Sequence, residues 1–170
     1  MALLRHGRVG SCHRVFSETG FGECAARDVI VTLRSFLEDQ TSPTPHREDV
    51  GIRLRPDDDP ALLANNLDAV SLIEVEFPKY TDGRGYSIAQ LLRRRYGYSG
   101  ELRAVGQILR DQLLLMKRSG FDAVAFDHPD TEGVYAEAVG ELSEVYQAAA
   151  DGSISIFLRR RTDLSPGRLT

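Results

Sequence analysis

Residues 71–90 read SLIEVEFPKYTDGRGYSIAQ, and their two halves follow different periods. From Ser71 to Phe77 the chain alternates, with Ile73, Val75 and Phe77 on one side of an extended strand and Glu74 and Glu76 on the other. From Ser87 onward the pattern is helical. Ser87, Ile88, Ala89 and Gln90 match a capping box, in which the serine hydroxyl accepts the Gln90 backbone amide and the glutamine side chain reaches back. The spacing therefore predicts a helix beginning just after Ser87. Strand, loop and helix in succession make one βα unit.

The unit recurs on both sides. Val29 to Leu33, Gly51 to Arg55, Leu102 to Gly106 and Phe121 to Phe126 read as further strands. Helical patterns cover Arg34 to Gln40, Asp59 to Asn66, Ser87 to Tyr96, Gln107 to Ser119 and Thr131 to Ala148. In the last of these Tyr135, Ala138, Leu142, Val145 and Tyr146 form one apolar stripe. Ser11 to Ser17 is expected to form an early strand, and Ser153 to Leu158 (SISIFL) a late one, antiparallel at an edge. Strands alternating with helices specify an α/β fold, a single domain of repeated βα units over residues 1–158 with a mostly parallel five- or six-stranded sheet. Residues 159–170 mix charges with Ser, Pro and Gly without periodicity, as a flexible tail does.

Strands covered by helices on both faces should be continuously apolar. These are not: Arg53 and Arg55 alternate with Ile52 and Leu54, Glu74 and Glu76 with Ile73 and Val75, and Glu101 and Arg103 with Leu102 and Ala104. One face of the central sheet is charged with both signs. Three arrangements fit. The face could meet water with exposed cross-strand pairs, line the concave side of a partial barrel, or pack against a second subunit with its charges paired.

At 170 residues, 42% hydrophobic, 27% charged and a net charge of -4, the chain has the composition of an ordinary globular domain and lacks the basic surplus of a nucleic-acid binder. Cys12 and Cys24 stand apart without a CxxC or clustered histidines, so neither a zinc site nor a disulfide framework is indicated. The amino terminus, MALLRHGRVGSCHR, has no apolar core of signal-peptide length, and no segment approaches the ~20 apolar residues of a membrane helix. A cytoplasmic location without a membrane partner is expected.

Ligands of parallel α/β folds bind beyond the carboxyl ends of the strands. With the helix starting after Ser87, the loop there is Pro78 to Tyr86, longer than the usual two to six residues. Gly83 and Gly85 flank Arg84, and Lys79 stands nearby. Backbone amides, the helix dipole and a guanidinium could together hold a phosphate, sulfate, sulfite or carboxylate. The alternative is a plain turn in which Asp82 accepts backbone hydrogen bonds. The next junction, RAVGQILRDQ, brings Gly106, Gln107, Arg110 and Asp111 to the same edge, and DHPDTE adds Asp127 and His128, too few ligands for a metal. The ligand-binding candidates are Lys79, Thr81, Asp82, Gly83, Arg84, Gly85, Ser87, Arg103, Gln107, Arg110 and Asp111. Glu76, Lys79, Asp82 and Arg110 are the candidates for acid, base or nucleophile if the protein is an enzyme. No dinucleotide motif or cysteine cluster is present, so no cofactor can be named, and any redox cofactor is expected on a partner.

The run FPKYTDGRGYSIAQLLRRRYGYSGELRAVGQILRDQLLLMKRSGFDAVAF resembles the signature core of the bacterial DUF934 family, and VGIRLRPDDDP before it and VYQAAADG and FLRRR after it extend the resemblance along nearly the whole chain. The motif carries over onto Phe77, Pro78, Lys79, Thr81, Asp82, Gly83, Arg84, Gly85 and Ser87, and onto Arg103, Gly106, Arg110, Asp111 and Gln112. Gln107 departs from it, standing where relatives more often have an acid. The resemblance implies an accessory factor of sulfite reduction and sulfur assimilation, with an oxidoreductase label. Its expected partners are a small anion, or sulfite reductase or another sulfur-assimilation protein, met through the loop from Lys79 to Ser87. Two alternatives stay open: an oxidoreductase or lyase with its site at the strand ends, and a non-catalytic module that forms a homo-oligomer through the charged sheet face.

Overall fold

A computed structural model describes residues 2–10, 14–18, 29–38, 50–142 and 145–163. Its frame is one sheet of eight strands: β1 (Ala2–Arg5), β2 (Arg8–Gly10), β3 (Val15–Ser17), β4 (Val29–Thr32), β5 (Gly51–Leu54), β6 (Leu72–Phe77), β7 (Glu101–Gly106) and β8 (Ala123–Phe126). The order across the sheet is β2-β1-β8-β7-β6-β5-β4-β3, and the sheet curls into a half-barrel. From β3 to β8 every neighbouring pair is parallel; β1 runs antiparallel to β8 and pairs with β2 as a hairpin. The α/β class and the partial barrel are as the sequence indicates, with eight strands in place of five or six.

The strands added are short. β1 and β2 are joined by His6 and Gly7, both at positive φ (49° and 82°), a two-residue turn whose twist suits a hairpin. Histidine in place of Asn or Asp hides that turn from a sequence reading. The early strand expected within Ser11 to Ser17 exists as β3, and residues 11–13 lie outside those described.

Helices α1 (Leu33–Glu38), α2 (Arg84–Gln90), α3 (Leu113–Ser119) and α4 (Thr131–Gly140) follow β4, β6, β7 and β8. A short 3-10 turn, Pro60–Leu63, stands where a helix from Asp59 to Asn66 was expected, and a second, Leu67–Ala69, follows it; Asp59 caps the first by accepting the Ala61 amide. The inward positions on this side of the sheet, Ile52, Leu54, Ile73, Val75, Phe77, Leu102 and Ala104, are fully buried and meet Leu63, Ile88, Leu92, Leu113 and Met116 from the connections. This is the apolar set of the alternating strands, packed under helices. α2 runs on into a π turn at Leu91–Arg95, closed by the Tyr96 amide on the Leu91 carbonyl.

Three expected elements differ. α4 stops at Gly140, short of Ala148: Ala138 is buried, yet Leu142 and Tyr146, which should continue its stripe, are exposed. Glycine near that point gives a helix little reason to continue. Ser153 to Leu158 is not an edge strand; helix α5 spans Ile156–Asp163, its first amide bound to the Val145 carbonyl and Phe157 set edge-on against Tyr146. The sheet ends instead at β2 and β3, so the segment pairs with no strand and its Leu-Arg-Arg-Arg run turns helical. The expected tail from residue 159 is helical to Asp163, and residues 164–170 lie outside those described. Among the described residues no helix is long and apolar enough to cross a membrane.

Candidate functional site

The second face of the sheet carries the charges. Register places Thr32, Arg53, Glu74 and Arg103 side by side in one row across β4 to β7. Arg53 donates from Nε and Nη2 to Glu74 Oε2 at 2.9 and 2.7 Å, and Arg103 donates from Nη1 to Glu74 Oε1 at 3.0 Å. Arg103 Nε and Nη2 then reach Glu101 Oε1 at 3.2 and 2.9 Å, and Arg5 binds the other Glu101 oxygen. In that row β8 contributes only Ala123, opposite both Arg103 and Arg5, and its small side chain lets Arg5 span from β1 to β7. The result is a five-membered ladder of alternating sign. Glu74 and Arg103 are each only 3% exposed. A face open to water is thereby corrected: ions so dehydrated need the pairing they have, since a buried charge stripped of its partner is costly.

The concave side encloses a cavity of about 380 Å³. Arg14, Arg53, Glu74, Glu76 and Arg103 supply its polar lining, while Leu3, Ile30, Val105 and Ala125 supply an apolar wall. Arg53 lies over the Phe16 ring at 3.7 Å, which holds its guanidinium flat at one side of the space. Arg14 is braced by Ser71, whose hydroxyl accepts from Nη2 at 3.1 Å. Gly51 is needed at the base, because a Cβ there would stand 2.8 Å from Ile30 Cγ1 and 3.6 Å from Arg14 Nη1. Glu76 is held differently from Glu74. Among the described residues it pairs with Arg55, whose Nε is 4.0 Å away, and Arg55 also binds Glu18 at 3.1 Å.

The loop after β6 is shorter than expected. α2 begins at Arg84, not after Ser87, because Asp82 Oδ1 accepts the Arg84 amide at 3.1 Å and turns the chain early. Ser87 and Gln90 are exposed helical residues without the capping contacts. Six residues, 78–83, connect strand to helix, within the usual range for a βα loop. Arg84 donates from Nε and Nη2 to Asp82 at 3.0 and 2.8 Å and from Nη1 to Asp57. These hydrogen bonds raise the Arg84 pKa and hold the Asp82 carboxyl below the usual carboxylate range. Gly85 is buried against the Phe77 ring, which a Cβ would strike; its role is packing.

Lys79, Thr81 and Gly83 are exposed on this loop. The junction RAVGQILRDQ does lie beside it, through Gln112: its Nε2 donates to the Tyr80 carbonyl at 2.6 Å and its Oε1 accepts the Leu109 amide at 3.1 Å. Gly106, at φ 111°, leaves no room for a side chain next to the Phe77 carbonyl, which accepts the Gln107 amide at 2.8 Å. Arg110 turns away to Glu137 of α4 at 3.6 Å, and Asp111 and the Gln107 side chain are exposed. Tyr86 packs against Phe77 with ring centroids 5.1 Å apart, and burial, with Asp111 second, raises its pKa. His128 stacks on Phe126, and its Nδ1 accepts the Asp130 amide at 3.1 Å. Arg84, Arg103 and Arg110 thus belong to three separate networks. Of the named candidates, Glu76 and Arg103 line the concave cavity.

Arg53 and Glu74 stood in the charge alternation without being singled out as site residues, although register alone would have joined them to Arg103. Arg14 and Phe16 lie within the early strand expected from Ser11 to Ser17 but were not singled out as site residues, since so short a strand has no readable period.

Comparison with curated proteins found no match. A family model described as bacterial protein of unknown function (DUF934) matches residues 51–157, a span from β5 through the first residues of α5 that takes in Arg53, Glu74, Glu76 and Arg103. With more than half of its length matched, the chain belongs to the DUF934 family.

Proposed function

We propose that this protein is a cytoplasmic accessory factor of sulfite reduction that binds a small anion in the cavity on the concave face of its sheet. The observation that carries the reading is the convergence of Arg53 of β5, Arg103 of β7 and Arg14, the residue before β3, on one partly apolar space. Guanidinium groups in a low-dielectric pocket are strong receptors for oxyanions. Two Arg53 nitrogens, Nε and Nη2, serve Glu74, and the guanidinium lies at the edge of the cavity over the Phe16 ring. The sulfur connection comes from the family resemblance, and a sulfur oxyanion suits the same chemistry. Calorimetry with sulfite, sulfate and phosphate on the wild type and Arg53→Gln tests the site: binding by the wild type that weakens at least tenfold in the variant is expected, and no heat from any of the three with folded protein counts against it.

A partner-docking role for the loop from Lys79 to Ser87 is the second reading. Tyr80 is 53% exposed at its tip while Gln112 and the Arg84 pairs hold its backbone. A rigid, exposed aromatic beside a lysine suits a protein contact. Affinity capture with wild type and a Lys79→Glu/Tyr80→Ala variant would support it if a sulfite reductase component is recovered by the first alone; recovery of none by the wild type removes it.

A further inference from the structure

We infer that the acid group held in the concave cavity belongs to an apolar amino acid, and that Glu76 receives its ammonium. This rests on the reading of the cavity as an anion site and names the class of its occupant. The observation that carries it is a contrast between two glutamates on one face of β6. Glu74 is 3% exposed and accepts three hydrogen bonds from Arg53 and Arg103. Glu76 lines the same cavity with a third of its side chain exposed. Among the described residues its carboxylate meets one cation, Arg55, at 4.0 Å, the outer limit of an ion pair. Arg55 is itself half-exposed and makes its shorter contact, 3.1 Å, with Glu18. The fold occupies the oxygens of Glu74 and leaves those of Glu76 facing the cavity.

Glu76 stands where it would act on a bound acid. Arg53 is paired in register with Glu74, and Glu76 follows two residues later on the same face. With ~4.8 Å between strands and ~3.3 Å per residue, Arg53 and Glu76 are diagonal neighbours with backbones about 8 Å apart. Two charge-assisted hydrogen bonds of ~2.8 Å each, with the few bonds between an acid group and an amine, cover that offset. An acid without the amine would face the Glu76 carboxylate in a space with little water to screen it. An ammonium beside the acid group replaces that repulsion with a second ion pair. The rest of the lining asks for hydrocarbon: Leu3, Ile30, Val105 and Ala125 form an apolar wall, and about 380 Å³ lies within the ~300–1,000 Å³ range of organic ligand sites.

The test is calorimetry on the full chain at neutral pH. The probes are L-phenylalanine and L-leucine, the deaminated acids 3-phenylpropionate and 4-methylpentanoate, the hydroxy acid 3-phenyllactate, the decarboxylated amine phenethylamine, and sulfate. At least one amino acid is expected to bind tenfold or more tighter than its deaminated acid and than the other probes. Glu76→Gln should lower the ratio of amino-acid to deaminated-acid affinity at least fivefold, and Arg53→Gln should weaken every acid probe; both variants must keep the wild-type circular dichroism spectrum. Deaminated acids or sulfate binding as tightly as the amino acids overturns the inference and leaves the anion site standing. Phenyllactate equal to phenylalanine overturns the ammonium, since a hydroxyl then serves as well. An unchanged ratio in Glu76→Gln overturns the role of Glu76. Phenethylamine equal to phenylalanine overturns the anion site as well, as does the absence of binding by all the probes.

Discussion

Glu74→Gln is the sharpest perturbation of the ladder. The substitution keeps the shape of the side chain and removes the charge that receives three hydrogen bonds from two guanidinium groups. Its amide would also point N-H donors at N-H donors. Breaking a buried ion pair by deleting one partner costs ~3–5 kcal/mol. Two details favour the low end. Arg103 keeps Glu101, and Arg53, with 23% of its side chain exposed, keeps some water and the Phe16 ring. A loss of about 3 kcal/mol is therefore expected, a large part of the ~5–15 kcal/mol that holds a typical domain folded. With a urea slope of ~2–3 kcal/mol/M, the midpoint falls by about 1 to 1.5 M. The chain has no tryptophan, so far-UV circular dichroism is the natural probe. A companion variant, Glu74→Leu with Arg103→Met, replaces the pair by hydrocarbon and should lose less than the sum of its two single changes. A loss below ~0.5 kcal/mol in Glu74→Gln would refute the reasoning, since that is the cost of an exposed, screened pair.

Three further outcomes follow from the same structure. Gly106→Ala forces a Cβ toward the Phe77 carbonyl at φ 111° and should cost about 2 kcal/mol or more, lowering Tm by roughly 5 °C at ~2–4 °C per kcal/mol, whereas Gly83→Ala, with φ -84° and open space, should stay within ~1 kcal/mol; equal effects in thermal unfolding would contradict the geometry. Tyr98→Phe removes the buried bond from its hydroxyl to the Val70 carbonyl at 3.1 Å and should cost ~1 kcal/mol in the same assay; a stabilised variant would mean the hydroxyl is not bonded there. Because Arg84 depresses the folded-state pKa of Asp82, the ordering of the loop by that pair is present above the usual carboxylate pKa of ~3.9 and is lost as pH falls through the lower folded value. An NMR titration should show Asp82 titrating below that value in the wild type and moving upward in Arg84→Gln; identical curves would remove the pair.

Some of the fold was legible because periodicity is a local property. Ile73, Val75 and Phe77 had to share a face once the segment was extended, and the same holds for Ile52 and Leu54, so five parallel strands and a charged sheet face could be read from the chain. Boundaries were less legible. Asp82 and Ser87 are both competent caps, and only the packed position of Gly85 on Phe77 and the Arg84 contacts to Asp57 and Asp82 favour the earlier start. That shift of three residues shortened the loop and removed its length as a sign of function. SISIFL alternates as well as any strand here, but a strand needs a neighbour with open hydrogen bonds, and which edges remain open depends on the whole sheet.

The candidate site divides along the same line. The sequence by itself determined that Arg53, Glu74, Glu76, Glu101 and Arg103 lie on one face, because side chains of a strand alternate whatever surrounds them. Tertiary structure alone decided that this face is concave, that Glu74 and Arg103 lose their water, and that Arg14 and Phe16, far away in the chain, line the same cavity, with Phe16 under Arg53. Curvature and strand order bring together residues that are many positions apart, and no local pattern encodes that meeting.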